Sequence, residues 1–308
     1  MNDAINLAEQ FPHLKFELTP EDPLWPQLVD PRALQAQKIY GIGDPSSLSG
    51  RCFSIVGARR ATPYGIALAK MAGRIAAESG LISVSGGAIG VDIASARAAL
   101  AANGKTIIVS GTGADIIYPR ANGATFVEAI ETGGAVIALE RWGTQPQRYT
   151  FPKRNRLIAA LSRCLLVAEA GLPSGTLSTA QAAEEMGREI YAAPGSIFSP
   201  HSKGTNWLIT QGATILADEE SLEVAISRDY GVLRKERVKN TKDHGRLFSI
   251  LLAEPMRPDE LAHALSQNTL ALLKTLSDYE MRGLVCRLSD GRYAPSEKYL
   301  LDASSAPS

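Results

Sequence analysis

The chain has 308 residues, 45% apolar and 21% charged, with 32 basic and 32 acidic residues, so its formal net charge is zero. That composition describes a globular protein able to bury a full core, and it excludes a general polyanion binder, so any nucleic-acid site must be local. No apolar run approaches the roughly 18 residues needed to span a membrane, and the N-terminus shows no basic stretch followed by an apolar core, so neither membrane insertion nor a signal peptide is expected.

Residues 1–50 are irregular and rich in proline, with Leu24, Trp25 and Leu28 among them. They are expected as a lead-in packed on the main domain. From Arg51 a regular alternation begins. Apolar runs of strand length occur at 51–57, 81–87, 105–111, 135–140, 164–170, 189–195 and 213–216. Helix-like segments lie between most of them. Such strands are apolar nearly throughout because helices cover both faces of the sheet. Strand and helix in repetition predict an α/β fold, a doubly wound, mostly parallel Rossmann-like sheet over 51–228. Thr62-Pro63 reads as an N-cap followed by proline at the first helical position.

Residues 229–244 are dominated by charge and read as a linker. A second apolar pattern fills 245–298, with three short helices and a hairpin turning at Ser289-Asp290-Gly291. This predicts a small winged-helix-like domain. Its third helix offers only Lys274 and Arg282 against Asp278 and Glu280. A DNA-reading helix is normally more basic, so a protein-contact or structural role is expected. The tail 299–308 is expected to be disordered.

In an open parallel sheet, ligands bind at the carboxyl ends of the strands. Glycines and hydroxyls cluster there in GARRATPYG, SGGAIGVD, SGTGADIIYP, AGLPSGTLSTA and PGS. Glycine lets an anion approach the backbone, and the following helix presents free N–H groups. Five such loops on one edge predict a phosphate-binding rim. Arg59 and Arg60 sit on the first loop, and Arg120 follows the third. The stretch 141–163 adds six basic residues and no acidic one, with Trp142, Tyr149 and Phe151 interleaved. Alone it fits a solvated loop as well as a nucleic-acid site. Before the fifth strand it faces the glycine loops, and Phe151–Arg156 is its expected binding part. Arg163, at the far end of the helix, is expected to be structural.

Other chemistry finds little support. There is no P-loop, and the third glycine and ribose carboxylate of a dinucleotide site are missing, so no cofactor is expected. His13, His201, His244 and His263 are scattered, and no metal-ligand spacing occurs. Ser85, Ser110 and Ser174 lack an evident base and suit phosphate donation better than catalysis. Cys52, Cys164 and Cys286 are far apart and fit free thiols in a reducing, cytoplasmic setting.

Several of these segments, in this order, resemble the DprA/Smf family of DNA-processing proteins. GARRATPYG is similar to the family's GSRxxTxYG, SGGAIGVD to SGxAxGID, and GTGADIIYPRAN to GxGxxxxYPxxN. FPKRNRLIAALS and SGTLSTAQAAEEMGREIYAAPG follow two of its more specific motifs. Ala58 stands where the family usually has serine, and Ile89 where many members have arginine. The resemblance implies an extended Rossmann-like fold with a C-terminal winged helix and no catalytic residues. It implies sequence-independent binding and protection of single-stranded DNA, loading of the RecA recombinase during natural transformation, and a homodimer. Carried over, the DNA-binding positions are Gly57, Arg59, Ser85, Gly86, Arg120, Lys153, Arg154, Arg156, Ser174, Gly175 and Thr176, and the rim adds Arg60, Gly87, Phe151 and Asn155. One alternative is a nucleotide-processing hydrolase of the lysine-decarboxylase-like superfamily, though Thr179 stands where that motif carries its glutamate. Another is a specialised relative outside transformation.

Overall fold

The structure is a computed structural model that describes residues 6–34, 36–234 and 246–301. The lead-in forms α1 (Leu7–Gln10), β1 (Lys15–Leu18), α2 (Pro31–Leu34) and β2 (Ile39–Gly43). The alternation follows as β3 (Cys52–Val56), α3 (Pro63–Glu78), β4 (Ile82–Ser85), α4 (Val91–Ala101), β5 (Thr106–Gly113), α5 (Gly123–Glu131) and β6 (Ala135–Glu140). It continues with α6 (Thr150–Leu161), β7 (Cys164–Val167), α7 (Thr176–Glu185), β8 (Glu189–Ala192), α8 (Lys203–Thr210), β9 (Thr214–Ile215) and α9 (Glu219–Tyr230).

Nine strands form one sheet in the order β1-β2-β6-β5-β4-β3-β7-β8-β9. The seven expected strands, β3 to β9, are mutually parallel. The lead-in does more than pack on the core: β2 pairs antiparallel with β6, and β1 with β2. Chain order runs from β3 through β4 and β5 to β6 on one side, then restarts at β7 on the other. The switch point therefore lies between β3 and β7, where two diverging crossovers leave a crevice.

Apolar side chains fill both faces. Leu157, Ile158 and Leu161 of α6 pack with Val84, Val109, Ile137 and Val167. On the opposite face, Ala69, Ala72 and Ile75 of α3 pack with Phe53, Ile55 and Leu166. Small alanines let α3 and α4 approach closely on that face. Thr62 caps α3 by accepting from the Gly65 N–H, with Pro63 in the first turn.

The C-terminal unit consists of α10 (Arg246–Ala253), α11 (Pro258–Leu265), α12 (Thr269–Met281), β10 (Val285–Arg287), β11 (Tyr293–Pro295) and α13 (Glu297–Leu301). β10 and β11 form the antiparallel wing. The unit has its own core, built on Phe248, Leu251, Leu261, Leu272 and Leu276. Here the expected tail needs correction. Residues 297–301 are helical, and Tyr299 is buried with its ring stacked 3.9 Å from that of Phe248. An aromatic three residues from a chain's fading pattern gave no periodicity to read. Residues 302–308 of that expectation lie outside the described residues. Glu297 also forms an ion pair with Lys70 of α3, joining the unit to the main sheet.

The expected linker is shorter at its start. Asp229 and Tyr230 belong to α9, which ends at Gly231 in the left-handed conformation. Arg234 then returns to the core with only 3% of its side chain exposed. It bonds Glu78 at 2.5 Å, Glu219 at 2.5 Å and Glu223 at 2.7 Å. Residues 235–244 of that expectation, His244 included, lie outside the described residues. Arg234→Ala leaves three partly buried carboxylates facing one another. We expect a stability loss of about 3 kcal/mol, the lower end for breaking buried ion pairs because these carboxylates keep some water. A denaturant midpoint shift in chemical unfolding checks it.

Candidate nucleic-acid interface

A cleft of about 680 Å³ opens at the switch point, over the carboxyl ends of β3 and β7. The two strand ends stay tied beyond their ladder: Ala168 donates to Val56 O at 3.0 Å and Ala58 to Glu169 O at 2.7 Å. Gly57, Ala58 and Arg59 form one wall, and Gly171 with Pro173, Ser174, Gly175 and Thr176 form the opposite wall. The first turn of α6 closes the side with Phe151, Arg154 and Asn155, joined by Tyr118 and Arg148.

The floor is a buried carboxylate with a buried guanidinium near it. Asp92, in the first turn of α4, is 7% exposed, and Arg154 of α6 is 5% exposed. Asp92 accepts from the Gly86 N–H at 3.0 Å. Burial pushes its carboxyl above the usual range, against the pull of the Arg154 charge and of backbone N–H groups. Burial likewise lowers Arg154, opposed by Asp92. Arg154 Nη1 donates to Val109 O at 3.1 Å. Its Nε makes no hydrogen bond among the described residues.

The residues of the expected phosphate rim are divided by the structure. The N–H group of Gly86 already serves an internal carboxylate. Ser85 is fully buried and donates to Asp92 O at 3.1 Å, and Ser110 pairs with Thr112 at 2.6 Å. Gly87 is buried, and its carbonyl takes the Asn122 side chain at 2.9 Å. Arg154 is part of the floor and is not presented to solvent. Lys153 and Arg156 do not line the cleft: Lys153 sits 3.6 Å from Glu140, and Arg156 bonds Glu185 at 2.6 Å and Ala33 O at 2.9 Å. Arg60 and Arg120 are exposed outside its walls. Arg163 bonds the Asp229 carbonyl at 3.3 Å, away from the cleft.

The lip keeps the groups that can meet an anion. Arg59 is exposed, with its guanidinium 5.5 Å from the Phe151 ring centroid. Arg154 lies 5.8 Å from the same ring, and Tyr118 packs 5.9 Å from it. Thr150 fixes this turn by donating to Gly111 O at 2.5 Å. Across the cleft, α7 opens with Gly175 as its cap, and Ser174 Oγ accepts the Thr176 N–H at 3.2 Å. The positive end of the α7 dipole therefore meets the cleft. Asn155 donates to Ser178 Oγ at 2.8 Å, tying α6 to α7.

Sequence reasoning missed Asp92, Arg148, Tyr118 and Glu169. Glu169 is 2% exposed, accepts from Thr62 N at 3.0 Å and from the Thr62 hydroxyl, and lies 3.8 Å from His201. Burial raises its carboxyl, opposed chiefly by Thr62. A lone carboxylate ending an apolar strand was the available signal. Asp92 is the one carboxylate among the described residues lining the cleft, and it is already bonded.

The floor explains the second glycine of its loop. A Cβ on Gly86 would stand 1.5 Å from Arg154 Nη1 and 2.6 Å from Asp92 Oδ2. Gly86→Ala must push the buried Arg154 guanidinium aside. We expect a loss of about 2–3 kcal/mol, the upper part of the range for overpacking a well-packed site, read as a lowered melting temperature. Gly175→Ala, with open space at its Cβ, should change it little.

Residues 17–226 match the family model of DNA recombination-mediator protein A, and residues 236–291 match that of the DprA winged helix domain. The chain is 38% identical to protein Smf of Escherichia coli K12 over 180 residues, 58% of this chain and 48% of that protein. It is 43% identical to DNA processing protein DprA of Streptococcus pneumoniae over 145 residues, 47% and 51% of the two chains. It thus spans about half the length of the curated relatives it matches. The solved structure of Streptococcus pneumoniae DprA superposes with a TM-score of 0.61 at 32% identity, covering 70% of this chain and 75% of that one. DNA processing protein A of Helicobacter pylori, solved to explain its single-stranded DNA binding mode, gives 0.61 at 30% identity, covering 69% and 97%. With a family model covering most of its sheet domain and a second covering its winged helix, the chain belongs to the DprA/Smf family of DNA-processing proteins.

Proposed function

We propose that the cleft binds single-stranded DNA without sequence preference. The observation that carries this reading is the lip: exposed Arg59 lies 5.5 Å from the Phe151 ring, beside the opening of α7. A base stacks on an aromatic face whatever its identity, and arginine beside it holds the phosphate. Arg59 and Arg148 are the exposed cations of the cleft wall. Ser174, Gly175 and Thr176 offer the helix N-terminus. The wall presents few groups aimed at base edges, which fits binding that ignores sequence.

The Helicobacter pylori relative, named for its single-stranded DNA binding mode, supports the same ligand class. By family membership, the chain would protect such DNA in the cytoplasm, load RecA on it in natural transformation and recombination, and act as a homodimer. The reaction chemistry of a nucleotide hydrolase finds no support at the cleft, where Thr179 is buried and Asp92 is buried and bonded by the Gly86 N–H.

Fluorescence anisotropy with labelled oligo-dT tests the reading. Arg59→Ala with Phe151→Ala removes one phosphate contact and one stacking platform. At about 1–3 kcal/mol per stacked base, affinity should fall at least tenfold. The salt slope should shrink by about 0.7, the value for one phosphate contact on a single strand. A double variant that keeps its fold by circular dichroism and binds like wild type places the DNA elsewhere.

A further inference from the structure

A second groove, of about 710 Å³, lies on the other side of the first turn of α6. Its walls are the end of β6, the segment leading into β2, the loop 141–149 and the outer face of α6. None of the family motifs read in the sequence accounts for it as a whole.

Its charge is one-sided. Lys38, Arg141, Lys153 and Arg156 line it against a single carboxylate, Glu140. In a chain of zero net charge this is a local concentration. Two of the four cations are committed: Lys38 to Glu17 at 2.8 Å, and Arg156 to Glu185 and Ala33. Lys153 is loosely held, 3.6 Å from Glu140 with 60% of its side chain exposed. Arg141 is exposed and forms no ion pair among the described residues.

The groove also carries an aromatic. Tyr149 is 58% exposed, with Lys153 Nζ 5.7 Å from its ring centroid. Exposed tyrosine under a lysine repeats, in weaker form, the Phe151 and Arg59 arrangement of the cleft. Gln37, Gln145 and Gln147 add uncharged donors that suit phosphate and sugar oxygens.

Helical geometry explains why one short stretch serves both sites. Residues three apart share a helix face. Phe151 and Arg154 therefore face the cleft, while Lys153 and Arg156 face the groove. The two sites meet at adjacent residues: Arg148 lines the cleft and Tyr149 the groove. Consecutive Cα atoms are about 3.8 Å apart, so a polymer leaving one site enters the other without a spacer. An acidic peptide would satisfy the cations as well, but it would use neither the exposed tyrosine face nor this continuity.

We infer that the groove takes a second segment of the same DNA strand, resting on the reading of the cleft as its first. Phosphates meet Arg141 and Lys153, and a base lies on Tyr149. Linking two weak segments on one strand raises affinity through effective concentration. Affinity should therefore climb in two stages as the oligonucleotide lengthens.

Anisotropy with labelled oligo-dT of increasing length tests this on the full chain. Arg141→Glu with Gln145→Glu changes two exposed loop positions outside the cleft. The shortest oligonucleotide bound by wild type should bind this variant within about twofold. Long oligonucleotides should lose about tenfold or more, and their salt slope should fall by about 0.7, one phosphate contact. Tyr149→Ala, which alters no charge, should likewise weaken only the long ones, by about fivefold or more at about 1 kcal/mol of stacking. If wild type binds both lengths and these variants leave both unchanged, the groove is a solvated face and the inference fails while the cleft stands. Equal weakening of short and long oligonucleotides overturns it too, since the groove is then no separate segment. A polyglutamate peptide that binds wild type but not the loop variant, with long-oligonucleotide affinity unchanged, assigns the groove to an acidic protein and overturns it. Failure of wild type to bind any length removes cleft and groove together.

Discussion

Two buried charges, the Asp92 carboxylate and the Arg154 guanidinium, are the constraint on which the cleft depends. The carboxylate takes the Gly86 N–H of the loop after β4, and the guanidinium donates to Val109 O within β5. The loop after β4 and the first turn of α4 are joined by the first bond, and α6 and β5 by the second. Removing an ion from water costs several kcal/mol, repaid only by opposite charge and satisfied hydrogen bonds. Asp92 has a backbone donor, whereas Arg154 Nε has no partner among the described residues. A glycine rim that elsewhere would wait for a phosphate is here closed by an internal anion. The loop after β4 is consequently set before any ligand arrives, and ordering it costs nothing at binding.

That arrangement separates floor from lip. Arg154 is buried and Arg59 exposed, at 5.8 and 5.5 Å from the Phe151 ring centroid. A ring packed beside a buried side chain has little freedom left to lose when a base stacks on it. Glu169 does similar work for α3, tying its first turn to the end of β7 through Thr62. Both carboxylates sit at helix starts, where the dipole favours negative charge. Each stabilises a loop terminus that a passing phosphate would otherwise be needed to order.

The parts of this structure with a strong period were legible in the sequence. Seven apolar runs became β3 to β9, and the carboxyl-end rule located the crevice. β1 and β2 were not legible, because Lys15–Leu18 has a single fully buried residue and Ile39–Gly43 carries two glycines among prolines and loops. Tyr299 was missed for want of a pattern: its burial depends on Phe248, some 50 residues away in sequence. At the site, residue types were readable and their partners were not. Nothing local tells that Asp92 bonds the Gly86 N–H, or that Ser85 donates inward. The division within 151–156 was readable in principle, since a helix beginning at Thr150 must turn Arg154 away from Lys153 and Arg156. A basic run on a helix is not one patch, because the helix distributes consecutive residues around its axis.

Charge balance bears on how such a site works. With equal numbers of acids and bases, the molecule as a whole neither attracts nor repels a polyanion strongly. At physiological salt the field of an exposed cation fades within about 8 Å. The cations of α6 and its preceding loop therefore act at contact range. If the cleft binds a polyanion as proposed, long-range steering is not the main source of affinity, which comes from groups that touch: a stacked ring, a helix terminus and the exposed arginines. Contact-range binding rewards preorganisation more than net charge does, which returns the weight to the floor. A protein whose cleft loops were held by solvent alone would order them at each encounter, whereas here the loop after β4 is already ordered on Asp92.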